Sequence, residues 1–66
     1  MYKEIKNKCF QLSYGDIFKK WFVNVCNKGN EQDLDKHIVN ESFNTKQEGI
    51  LRFKELINLE VKKCII

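Results

Sequence analysis

Phe18-Lys19-Lys20-Trp21-Phe22-Val23-Asn24-Val25-Cys26 is the stretch on which the fold turns. Phe18, Trp21, Phe22 and Val25 recur at i, i+3, i+4 and i+7, the spacing that puts side chains on one face of an α-helix. Ile17 and Cys26 widen this stripe, while Lys19, Lys20, Asn24 and Asn27 lie off its centre. Ser13 offers an N-cap upstream, Asp16 suits the positive end of the helix dipole, and Gly29 stands where a left-handed C-terminal cap is wanted. The spacing predicts an amphipathic helix over residues 15–27.

Working outward, Tyr2, Ile5, Cys9 and Leu12 fall at i, i+3, i+7 and i+10 and predict a first helix of about three turns. Ser13-Tyr14-Gly15-Asp16 separates it from the second. Downstream, Asn30 can cap a short third helix whose apolar side is Leu34 and Ile38, with Glu31, Asp33 and Asp35 near its N-terminal end. Thr45 and Glu48 have the spacing of a capping box, and Ile50, Phe53, Leu56 and Ile57 give a fourth helix its apolar face. At the C-terminus Leu59, Val61 and Ile65 alternate with Glu60 and Lys62, so residues 58–66 read either as continued helix or as a short strand. No proline interrupts any of these segments. The expected fold is all-α: a small three- or four-helix domain over residues 1–66, with the C-terminal strand as its variant.

Sixty-six residues make one domain with a thin core, burying only roughly 60% of the unfolded surface. Such a chain commonly relies on disulfides, a metal or a partner. Cys9, Cys26 and Cys64 are odd in number, widely spaced and in no CxxC pairing, so they read as small buried hydrophobes in a reducing cytoplasm. One histidine and three scattered cysteines do not make a zinc set, and no cofactor is expected. The opening stretch is interrupted by Lys3, Glu4, Lys6 and Lys8 and does not read as a secretory signal. The longest apolar run, Trp21-Phe22-Val23, is far too short to span a membrane.

Charge is patterned. Residues 1–28 hold six lysines against two acids, a net of +4; residues 29–48 hold two lysines against five acids, a net of −3; residues 49–66 hold Arg52 and three lysines against two acids, a net of +2. A basic–acidic–basic chain can pair with a copy of itself.

Three clusters could carry chemistry. Asp33 lies at i−4 from His37 and could orient its ring for proton transfer, but no serine or cysteine is poised as a nucleophile beside it. Glu31, Asp33 and Asp35 hint at a cation loop but lack its internal glycine, and stabilisation of a helix N-terminus accounts for them better. Lys3, Lys6, Lys19, Lys20 and Lys28 with Tyr2, Tyr14 and Trp21 could form a basic, aromatic surface for single strands; arginine, the preferred base reader, occurs once, at Arg52. Catalysis is therefore not expected, and nucleic-acid binding is the less favoured alternative.

Eight aromatic residues are a large apolar load for so short a chain. Those that the core cannot cover would form an interaction patch. The expected function is a small protein–protein interaction module, a regulator or inhibitor acting by binding another protein, with self-association as a homo-oligomer among its forms. Phe18, Trp21, Phe22 and Val25 are the expected anchors, with Lys19 and Lys20 as their basic rim.

Phe18-Lys19-Lys20-Trp21-Phe22 through Asn27-Lys28-Gly29-Asn30, then Leu34-Asp35-Lys36-His37-Ile38-Val39 and Phe43, resembles the N-terminal two helices of SnoaL-like proteins of the NTF2-like superfamily. Gly49-Ile50-Leu51-Arg52-Phe53 resembles the start of that family's third helix, and Leu59–Ile65 falls where its next strand would begin. The resemblance implies a cut-down small-ligand-binding protein or enzyme, completed by dimerisation or turned into a binding module. The segment between Phe43 and Gly49 is shorter than the family's usual first strand and loop, and the strands that carry the pocket and the acid/base residues are missing. No catalytic residue carries over.

Overall fold

The computed structural model describes residues 1–65, with side chains through Lys63. It is not an all-α bundle. Four strands, β1 (Tyr2–Ile5), β2 (Lys8–Gly15), β3 (Lys20–Asn27) and β4 (Val39–Phe43), are followed by one helix, α1 (Lys46–Ile65). The strands form an antiparallel meander in the order β1-β2-β3-β4, so each pairs with its neighbour in sequence. One turn of 3-10 helix, Leu34–Lys36, lies in the β3–β4 connection.

The expected amphipathic helix over 15–27 is thus a turn and a strand. Register explains why. Tyr14 pairs with Trp21, Leu12 with Val23 and Phe10 with Val25, while Ser13, Gln11 and Cys9 pair with Phe22, Asn24 and Cys26. Side chains alternate across a strand, so Trp21, Val23 and Val25 point to one face and Phe22, Asn24 and Cys26 to the other. Both sets are partly apolar, which hides the period of two. Aromatic and β-branched residues at 21, 22, 23 and 25 nonetheless suit a pleated surface better than a helix.

The first expected helix is equally a hairpin. Lys6 and Asn7 both take positive φ, 46° and 66°, as the two central residues of a tight turn joining β1 to β2. Such a turn matches the twist of its flanking strands. Gly29 does adopt a positive φ, 98°, but it follows a strand rather than a helix. The third expected helix shrinks to the single 3-10 turn.

The fourth helix stands, and it runs on through the segment read as a possible strand as far as Ile65; Ile66 lies outside the described residues. Thr45 and Glu48 form the capping box: the Glu48 amide donates to Thr45 Oγ1 at 3.2 Å, and the Thr45 hydroxyl donates to Glu48 Oε1 at 2.9 Å. Lys62 and Lys63 complement the negative end of its dipole.

α1 lies across one face of the sheet. Phe53 packs against Phe10, Leu12, Val23 and Val25 to form the core, with Ile5, Trp21, Val39, Phe43, Ile50, Leu56 and Ile57 around it. Gly49 is buried at the point of closest approach. A Cβ there would lie 2.8 Å from Leu12 Cδ1 and 3.5 Å from Trp21 Cβ. Glu41 of β4 ties the strand to the helix through two hydrogen bonds from Arg52, at 2.9 and 3.2 Å, and Arg52 also bonds Glu55. These carboxylates, Glu41 first, hold the Arg52 pKa above its ordinary value. No helix among the described residues is long and apolar enough to cross a membrane.

Candidate interaction surface

With one helix on one face, the other face of the sheet is left to solvent and to the β3–β4 connection. Its two ends differ.

At one end is the tip of the β2–β3 hairpin. Asp16, Ile17, Phe18 and Lys19 form the loop, closed by the Lys19 amide donating to the Gly15 carbonyl at 2.7 Å. Lys19 accepts a positive φ of 54° to complete it. Ile17 is 90% exposed and Phe18 69%. Phe18 meets Phe22 edge-on, with ring centroids 5.9 Å apart and an interplanar angle of 77°. The Phe22 ring lies where a side chain at position 15 would be: a Cβ on Gly15 would come within 2.7 Å of it. Lys19 and Lys20 follow directly and are exposed. The result is an apolar prow backed by an aromatic ring and flanked by two positive charges.

The six expected anchor and rim residues are therefore divided. Phe18, Lys19, Lys20 and Phe22 come together at this tip. Val25 is buried in the core. Trp21 points to the helix-covered face, where its ring lies 5.0 Å from that of Tyr14 and under the Lys46 ammonium at 5.6 Å. Ile17, the most exposed large apolar residue among those described, belonged to the expected helical stripe. Its place beside Gly15-Asp16, a turn-forming pair, was the signal that could have put it at an apex.

At the opposite end the β3–β4 connection folds over the sheet. Glu31 anchors it: its carboxylate accepts the Gly29 amide at 3.0 Å and the Cys9 thiol at 3.2 Å. Cys9 in turn accepts the Tyr2 hydroxyl at 3.1 Å, and His37 Nε2 donates to the Glu31 carbonyl at 3.1 Å. Cys9 and Cys26 are free and buried, as expected of small hydrophobes; the Cys64 side chain lies outside those described. Burial, then the neighbouring Cys9 and Glu31, pushes the Cys26 thiol up. The hydrogen bond to Cys9 leads the effects that push Tyr2 up to about 12. The raised Cys26 thiol is a poor nucleophile.

The clusters weighed for chemistry are dispersed. Asp33 pairs with Lys36 at 3.7 Å rather than with His37. Glu31 faces the sheet, away from any loop that would gather it with Asp33 and Asp35 around a cation. Among the described residues no three His, Cys, Asp or Glu side chains are placed to hold a metal.

The Glu31 anchor gives the connection a pH dependence. The Gly29 amide, foremost among several hydrogen bonds, holds the Glu31 carboxyl below its ordinary range. A depressed pKa contributes stability that is fully present above the unfolded value, about 4.3, and is lost as pH falls through the folded value. Below that range the Gly29 and Cys9 contacts are expected to release while the sheet–helix core persists. In an NMR titration the Gly29 amide should move and exchange faster before the Val23 and Val25 amides respond; simultaneous loss of all three would contradict a local anchor.

No protein-family model, curated protein or solved structure matches the chain, and the resemblance to SnoaL-like proteins is neither supported nor opposed by a relative.

Proposed function

We propose that this chain is a small protein-binding module, a regulator or inhibitor that engages another protein through the β2–β3 hairpin tip. The observation that carries the reading is the pair Ile17 and Phe18, two large apolar side chains left in solvent at a hairpin apex. Burying each in a partner's pocket is worth about 2 kcal/mol. Phe22 backs the Phe18 ring on one side and leaves the rest of it open to a partner. Lys19 and Lys20 favour a pocket with an acidic rim and faster association at low salt. The free thiols Cys9 and Cys26 suit a cytoplasmic setting. Nucleic-acid binding has less support: Arg52 is already committed to Glu41 and Glu55.

The test begins with photocrosslinking from position 18 of the full chain in extract of its source cell, followed by titration of the purified crosslinked protein. Phe18→Ser is expected to weaken that binding by about tenfold or more, about 1.4 kcal/mol, without lowering the melting temperature. Binding unchanged in both Phe18→Ser and Ile17→Ser would remove the hairpin tip from the interface. Crosslinks formed only between copies of the chain would replace a foreign partner with self-association.

A further inference from the structure

The sheet and α1 part company at the Val39 end of β4. Phe10 and Val25 form the floor of a cavity of about 120 Å³ there, with Ile38 and Val39 as one wall and Leu56 and Leu59 as the other. The walls are wet: Ile38 is 54% exposed and Leu59 49%. An apolar cavity of about 150 Å³ can hold a benzene ring, so this one has room for a single branched aliphatic group.

Two further features point to what fills it. β4 is an edge strand, so half of its backbone donors and acceptors face away from β3 and can pair with another strand. That free edge starts at Val39, which is also a cavity wall. A strand laid along it would send alternate side chains toward the helix side of the sheet, and one of them would reach the cavity mouth. The charge around the mouth is the second feature. Lys8 is paired with Glu60 at 3.0 Å, whereas Lys63 makes no ion pair among the described residues. The rim therefore carries a positive charge that no carboxylate among the described residues pairs with.

We propose that a second site lies here: an extended peptide of a partner protein adds to β4 as a fifth strand, seating an Ile, Leu or Val side chain between Ile38 and Leu59 and an acidic residue against Lys63. This site is independent of the hairpin tip. Val39 pairs with Val25 near one end of β3, whereas the tip adjoins Lys20 at the other end.

Selection of a random decapeptide display library on the full chain tests it. The expected result is enrichment of a branched aliphatic residue with Asp or Glu within two positions, in peptides that shift the amides of Asn40–Phe43. Leu59→Glu should weaken the enriched peptides by roughly tenfold or more, Lys63→Glu should remove the acidic preference, and Phe18→Ser should leave their affinity unchanged. Leu59 and Lys63 are exposed, and retained amide dispersion would show that both variants fold. The proposal falls if no such motif is enriched, if Leu59→Glu has no effect, or if Phe18→Ser abolishes binding. It also falls if the free chain is a dimer with protected β4 amides, because a second copy then fills the edge.

Discussion

Phe53→Ala is expected to unfold the protein. Phe53 is 4% exposed and is the α1 side chain that enters the cluster of Phe10, Leu12, Val23 and Val25. Truncating a buried phenylalanine costs about 3–5 kcal/mol, through lost apolar transfer and the cavity left behind. A chain of 66 residues has a total stability of roughly 3–10 kcal/mol. The loss is thus comparable to the whole. Among the described residues no second layer can compensate, because α1 alone covers this face of the sheet. Near-ultraviolet circular dichroism and a thermal melt should show no cooperative transition, with amide proton dispersion collapsed. Phe53→Leu should keep the fold with a lower midpoint. A Phe53→Ala protein melting within about 5 °C of the parent would mean that the helix does not hold the sheet.

Gly49 should separate two substitutions that differ by two methyl groups. In a helix interior glycine is about 1 kcal/mol less favourable than alanine. Gly49→Ala recovers that preference but brings a Cβ to 2.8 Å from Leu12 Cδ1, the far end of a side chain that can rotate away. The two effects oppose each other, and the variant should stay within about 1 kcal/mol of the parent. Gly49→Val adds branches where Trp21 Cβ leaves only 3.5 Å, and the backbone of β3 cannot retreat without disturbing its pairing with Tyr14 and Phe43. Overpacking of this kind should cost about 2–3 kcal/mol and lower the midpoint by roughly 10–20 °C. Valine as stable as alanine would show that α1 does not press on the sheet there.

Legibility in the sequence followed the number of faces each element buries. Over its first three turns α1 has an apolar stripe at Ile50, Phe53 and Ile57 and a capping box at Thr45 and Glu48, so its period was plain there. The alternation of Leu59, Val61 and Ile65 left residues 58–66 open between helix and strand. β3 is apolar on both sides, with Trp21, Val23 and Val25 against the core and Phe22 and Cys26 opposite. A run of that kind also satisfies helical spacing, and the helical reading won. β2 held the cleaner signal, since Phe10, Leu12 and Tyr14 alternate with Gln11 and Ser13. Grouping Cys9 with Leu12 obscured it. The turn at Lys6-Asn7 contains no glycine, so the hairpin had no strong marker. The same ambiguity split the expected interaction residues. Phe18, Lys19, Lys20 and Phe22 are neighbours in either reading, whereas Trp21 and Val25 share a face with Phe18 and Phe22 only on a helix.

The meander has a consequence for how the molecule is made. Every strand pairs with the one synthesised just before it, so the sheet can assemble in order as the chain emerges from the ribosome. The cover for its apolar side comes last. Phe53 follows Val25 by 28 positions, a delay of roughly 1–6 s at about 5–20 residues per second. Until α1 docks, Phe10, Leu12, Val23 and Val25 have no cover on that face of the sheet, and an uncovered sheet with open edges is the kind of surface that recruits other chains. A chain ending at Phe43 would hold all four strands with nothing to shelter their apolar side.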